Sequence, residues 1–97
     1  MSDGIASEFK QELCRKMASN LSTLREKLKL TQDELATRLG LSRQNISAIE
    51  NGKHDMTWST FSILIMFFAN DTETKQIMIA MGIINENVAK IFNIKES

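Results

Sequence analysis

Between Thr31 and Lys53 the chain reads TQDELATRLGLSRQNISAIENGK, and its helix starts and stops leave few ways to fold it. Thr31 followed three residues later by Glu34 is a capping-box pattern, in which hydroxyl and carboxylate each satisfy an orphan backbone amide at a helix start. The helix predicted there turns Leu35, Ala36 and Leu39 inward and Asp33, Thr37 and Arg38 outward. Gly40 can take the positive φ of a helix terminus at no steric cost. Ser42 is suited to cap a second helix, and Asn51-Gly52 to stop it in the same way. Two short helices therefore meet across Leu39-Gly40-Leu41-Ser42.

At about 100 degrees per residue, Ile46 and Ile49 define the buried side of the second helix. Gln44, Ser47, Ala48 and Asn51 lie opposite, with Arg43 and Asn45 on the flanks. That outer face carries no large apolar group and no acid. Its amides, hydroxyl and methyl are the groups that read base edges in a major groove, where Gln pairs with adenine, Arg with guanine and an Ala methyl meets the thymine methyl.

The rest of the chain also reads as helix. There is no proline. Phe9, Leu13 and Met17 line one face of a helix over 5–18, and Leu21, Leu24 and Leu28 continue the stripe over 18–29, with a break near Ser19-Asn20 left open. Thr57 is expected to cap a helix from Trp58 to Asn70. Seven of the eight residues from Phe61 to Phe68 are apolar, which calls for burial on more than one side. Thr72 is placed as the cap of a helix to Met81, broken by Gly82. Asn85 is placed as the cap of a last helix through Phe92, with Val88, Ile91 and Phe92 on one side. The run 77–84 also suits a strand on composition, and helix is preferred.

With 97 residues the chain has room for one domain that buries about 60 to 65 per cent of its unfolded surface. Its 42% apolar and 25% charged residues are ordinary for a folded globular domain. Cys14 cannot form an internal bridge, and with His54 alone it cannot supply the ligand set of a structural zinc. The start, MSDGIASEFK, lacks the basic region and apolar core of a signal peptide, and no apolar run has the length of a membrane span, so a reduced, cytoplasmic setting is expected. Twelve basic residues balance twelve acidic ones, which gives no global support for a nucleic-acid partner. From Leu21 to Lys53, however, six basic residues face four acidic ones, whereas from His54 onward three face five. Binding is thus expected to rest on few phosphate contacts, helped by backbone amides and dimerisation.

Positions 17–69 resemble the Cro and phage-repressor, or XRE-like, type of helix-turn-helix domain. The match is carried by Asn20-Leu21, Leu24-Arg25, Leu30-Thr31-Gln32, Glu34-Leu35-Ala36, Leu39-Gly40, Ser42, Ile46-Ser47 and Ile49-Glu50-Asn51-Gly52-Lys53. The resemblance implies an all-α, lambda-repressor-like bundle of five to six helices in which the helix 42–51 enters the major groove. It implies that Gln32 holds a phosphate and buttresses that helix, that Arg43, Gln44, Ser47 and Ala48 read bases, and that Asn51 and Lys53 contact phosphates. Asn45 falls at a position of variable role and is an additional candidate. Three features depart from the pattern. Lys29 stands where the family usually has glycine, apolar Ile63 and Met66 stand where it usually has polar residues, and the segment before Met17 is an addition. The tail after Asn70 lies outside the resemblance.

The expected organisation is a single domain over 1–97: an N-terminal helix at 5–18, a reader core at 17–70, and a C-terminal helical segment at 71–97 that dimerises, with help from the outer face of helix 58–70. The expected function is that of a sequence-specific, double-stranded DNA-binding regulator, a homodimeric repressor on an inverted repeat, with no cofactor, metal or membrane and no effector legible. An antitoxin or restriction-modification controller would use the same module. A protein-interaction adaptor that has lost DNA binding is favoured by the zero net charge and the apolar outer face. An enzyme is disfavoured, because no nucleophile is paired with a base. For Arg25 and Glu50 the structural reading is preferred, either as an ion pair inside the module or as separate surface charges. His54 is expected to be an exposed loop residue, Cys14 inert, and Met17, Met56, Met66, Met78 and Met81 adaptable packing.

Overall fold

A computed structural model describes residues 7–95. The first positions of the expected N-terminal helix, Ile5 and Ala6, lie outside the described residues. Among the described residues there are six helices and no strand: α1 (Ser7–Lys27), α2 (Gln32–Leu39), α3 (Arg43–Glu50), α4 (Trp58–Phe68), α5 (Thr72–Ala80) and α6 (Glu86–Phe92). The all-α expectation holds.

Helix α1 is the axis of the bundle. Its buried residues Leu13, Met17, Leu21 and Leu24 recur at spacings of four, four and three, which keeps them on one helical face. No break occurs at Ser19-Asn20, so the two segments read from sequence form one helix, and the Asn20 side-chain amide donates to the Lys16 carbonyl at 2.8 Å. α1 touches α3, α4 and α5, while α2 packs on α3. The fully buried Leu35, Ile46, Phe61, Leu64, Ile65, Phe68, Met78, Ile83 and Val88 close the core around it.

The junction after α1 is wound through Lys29, whose φ of 60° is left-handed. This is the position at which the resemblance pointed to glycine. The turn is held from both sides, by the Lys29 amide on the Glu26 carbonyl at 2.9 Å and by the Arg25 guanidinium on the Leu30 carbonyl at 2.8 Å.

The C-terminal segment departs from expectation in the cap of α5 and in the inward side of α6, while the run 77–84 begins as helix rather than strand, as preferred. The cap of α5 is Asp71 rather than Thr72, with the Asp71 carboxylate accepting from the Thr74 amide at 3.0 Å. The carboxylate at Asp71 wins because the next turn offers Thr74, whose buried hydroxyl donates to the Phe68 carbonyl at 2.6 Å and locks the α4–α5 corner. The run 77–84 stays helical to Ala80 and then turns through Gly82 at φ 77°, burying Ile83 and Ile84 beneath it. In α6, Asn85 caps as expected, but the inward side is Val88, Ala89 and Phe92, and Ile91 is 42% exposed. At about 100 degrees per residue Val88, Phe92 and Ala89 fall in one arc, and Ile91 lies about 110 degrees from its centre.

Helix α4 buries Thr60, Phe61, Leu64, Ile65 and Phe68. Its first turn enters an aromatic cluster in which Trp58 stacks on Phe61 at 4.8 Å and Phe92 leans on both at 5.8 and 6.0 Å. The Lys10 ammonium lies 5.4 Å from the Trp58 ring centre. Burial on every side does not occur, since Ile63 and Met66 remain 39% and 53% exposed. Of the five methionines expected to pack, Met17, Met56 and Met78 do, whereas Met66 and Met81 are exposed.

Candidate nucleic-acid interface

The two short helices form as their caps dictate. The Thr31 hydroxyl accepts from the Glu34 amide at 3.0 Å, and the Glu34 carboxylate accepts from the Thr31 amide at 2.9 Å. α2 ends at Gly40, φ 69°, and the Ser42 hydroxyl then accepts from the Asn45 amide at 3.0 Å. α3 ends through Gly52 at φ 76°, with the Lys53 amide on the Ala48 carbonyl at 2.8 Å and the Gly52 amide on Ile49 at 3.1 Å. These two bonds are the 6→1 and 5→2 pattern of a Schellman terminus. They carry Lys53 and the exposed His54 away from the end of α3 on a fixed turn.

Only Ile46 and Ile49 anchor α3 in the core. Arg43, Gln44, Asn51 and Lys53 are exposed, and Asn45, Ser47 and Ala48 are half-buried. The inward pair and the exposed Gln44 and Asn51 agree with the angular reading, whereas Ser47 and Ala48, read as outward, are half-buried and the flanking Arg43 is exposed. Asn51 and Ser47 also meet each other, amide to hydroxyl at 3.5 Å.

The acid of α3 is turned away from this face. Glu50, 7% exposed in its side chain, accepts two bonds from the Arg25 guanidinium, at 2.8 and 3.0 Å, and a third from the Gln32 amide at 2.9 Å. The hydrogen bond to Glu50 raises the Arg25 pKa above its already high value, burial opposes this, and the charges of Glu50 and Glu26 add to the rise. Arg25 is thus a permanent cation, and Glu50 presents little negative charge to a polyanion. The Gln32 amide has two hydrogens, so engaging Glu50 with one leaves the other for a phosphate. Both roles implied for Gln32 are compatible. Sequence reasoning left the Arg25–Glu50 pair open because nothing in a 25-residue separation reports a contact across the fold.

Beside this clasp lies an open cleft of about 530 Å³ between α1 and the α3–α4 loop, with Cys14, Ala18, Ile49 and Met56 among its lining residues. Cys14 is 7% exposed, and burial pushes its thiol pKa up. Among the described residues no group of three or more His, Cys, Asp or Glu side chains is placed to hold a metal, and no helix is long and apolar enough to cross a membrane.

Residues 18–95 match the family described as helix-turn-helix domain. The chain belongs to this family. The family match runs through α5 and α6, so the tail that sequence reading left outside the resemblance lies within it. The match begins just past Met17, leaving the first half of α1 as an extension to the family's core. Over 52 residues, 54% of this chain and 79% of the relative, the chain is 42% identical to a protein of Methanocaldococcus jannaschii named as an uncharacterized HTH-type transcriptional regulator. No solved structure matches the chain at a significant level. In helix-turn-helix domains the second helix of the pair lies in the major groove while the first crosses the backbone; here those are α3 and α2.

Proposed function

We propose that this protein is a sequence-specific reader of double-stranded DNA that regulates transcription, acting in the cytoplasm as a homodimeric repressor rather than as an enzyme. One observation carries the reading: α3 leaves Arg43 and Gln44 exposed and Ser47 and Ala48 half-buried beside them, while its acid, Glu50, is turned inward, paired with Arg25 and hydrogen-bonded by Gln32. The family match and the relative named as an HTH-type transcriptional regulator support the DNA-binding and regulatory part of this reading. In this reading Arg43, Gln44, Ser47 and Ala48 read bases, with Asn45 as an additional contact. Gln32, Asn51 and Lys53 hold phosphates.

A helix of 8 residues spans few base pairs, so specificity requires two copies. Two subunits on an inverted repeat would place their α3 helices in successive major grooves about 34 Å apart on one face of the duplex, and repression would follow from occlusion of a promoter.

The test is selection of bound sequences from a random DNA pool, followed by gel shifts over a range of salt. A defined inverted repeat and an affinity that falls steeply with salt are expected. The exposed apolar face of α4 favours a second reading, an adaptor that has kept the fold and lost DNA binding. That reading predicts no enriched sequence and no salt-sensitive complex.

A further inference from the structure

We propose that Lys29 is a phosphate contact built into the turn between α1 and α2, and that the turn carries a strained lysine there for the sake of its charge. The inference rests on the DNA-reading function and adds to it a residue that the resemblance leaves without a role.

Among the described residues, the non-glycine positions with positive φ are Lys29 at 60° and Asn93 at 55°. Asparagine visits the left-handed region more readily than most residues. Lysine does so at a cost, because its Cβ crowds the carbonyl oxygen that follows. Glycine would take the same turn without that cost. Nothing in the fold repays the strain. The Lys29 side chain is exposed, and among the described residues it makes no hydrogen bond or ion pair. The bonds that close the turn, Lys29 amide to Glu26 carbonyl at 2.9 Å and Leu30 amide to Arg25 carbonyl at 3.2 Å, are backbone bonds that any residue but proline could make. What lysine alone brings is a cation on a long stem. Strain held at a side chain that does not pack points to function.

Its place in the fold names the partner. The Arg25 guanidinium donates both to the Leu30 carbonyl and to Glu50, and Gln32 donates to the same carboxylate. The turn is thereby bolted to the end of α3 from which Asn51 and Lys53 continue. Lys29 stands one residue from Leu30 and three from Gln32, at the end of the reader pair where phosphate contacts are proposed. From Arg25 to Glu34 three cations face three acids, so without Lys29 this stretch would meet a polyanion with acid in surplus. Lys27 is committed elsewhere, 3.8 Å from Glu73 of α5. An ammonium is a point charge that suits phosphate without reading sequence.

The test compares the full-length wild type with Lys29→Gly, Lys29→Arg and Lys27→Gln by thermal unfolding and by gel shift over a range of salt, on the selected sequence and on unrelated DNA. Lys29→Gly is expected to raise the thermal midpoint yet weaken binding to both DNAs several-fold, with the salt slope reduced by about 0.9. Lys29→Arg keeps the cation and should keep the wild-type slope, and Lys27→Gln should keep it too. The proposal is overturned if Lys29→Gly binds with the wild-type slope, lowers the midpoint, or weakens only the selected sequence. It is equally overturned if Lys27→Gln reduces the slope as much, which would mark a diffuse charge effect, or if Lys29→Arg loses the contact. A wild type without salt-sensitive binding would refute the DNA reading and this contact together, whereas an unchanged slope in Lys29→Gly beside a DNA-binding wild type would remove the contact alone.

Discussion

Helices α3 and α4 begin in the same way and are held in opposite ways. Ser42 and Thr57 each accept a bond from the amide three residues on. Yet α3 is fixed by two isoleucines and a polar clasp at Glu50, and α4 by five buried side chains and a stack of aromatic rings. What each leaves outside differs accordingly: amides, a guanidinium and a hydroxyl on α3, an uncharged face with exposed Ile63 and Met66 on α4. A reader helix must keep its polar groups for a wet, charged partner, so it can spend little on the core and needs an ion pair to hold its angle. A helix anchored by aromatics needs no such clasp and can offer an apolar face.

The largest expected effect comes from opening the clasp. Arg25→Ala strands the Glu50 carboxylate at a site where both side chains are nearly buried, and should cost about 3 kcal/mol of stability in urea unfolding. A loss below about 1 kcal/mol would show that α3, like α4, is held by packing alone. Next in size are contacts outside the core. Gln44→Ala should cost about 1–3 kcal/mol on the selected sequence and relax base preference, while Lys53→Ala should weaken all sequences alike and reduce the salt slope by about 1. Identical behaviour of the two variants would erase the division between base-reading and backbone residues.

Smaller still is the effect at Lys29, which holds a left-handed φ of 60°. Lys29→Gly removes the crowding of Cβ but adds freedom to the unfolded chain, so a net gain of about 0.5–1 kcal/mol is expected, read as a higher thermal midpoint. The smallest effect is at Cys14, on the side of α1 shared by the cleft. Its thiol pKa is raised by burial, so the folded state retains the proton longer than the unfolded one. Stability is therefore intact below the ordinary thiol pKa and falls as pH rises from there toward the folded value. Cys14→Ala should flatten that part of the curve, and the native thiol should react with iodoacetamide more slowly than the denatured one.

Much of the candidate site was legible because its signals are local. Thr31 and Glu34, Ser42 and Gly52 act on backbone groups within a few residues of themselves, so their roles can be read without the fold. The outward face of α3 follows from helical spacing once Ile46 and Ile49 are seen. Where two nearby groups compete, local reading fails: Asp71 displaced Thr72 as the cap of α5 because Thr74 completes the corner from within the core.

The sequence by itself determined the helices, the caps of α2, α3, α4 and α6, the polar face of α3 and the odd apolar pair Ile63 and Met66, since periodicity and capping depend on neighbours along the chain. Only the tertiary structure decided that Arg25 and Gln32 converge on Glu50, that α1 runs unbroken as the axis, and that the tail spends most of its apolar residues on the core. These depend on contacts between residues distant in sequence. No local pattern encodes such contacts, because the free energy that selects them comes from burying many groups at once.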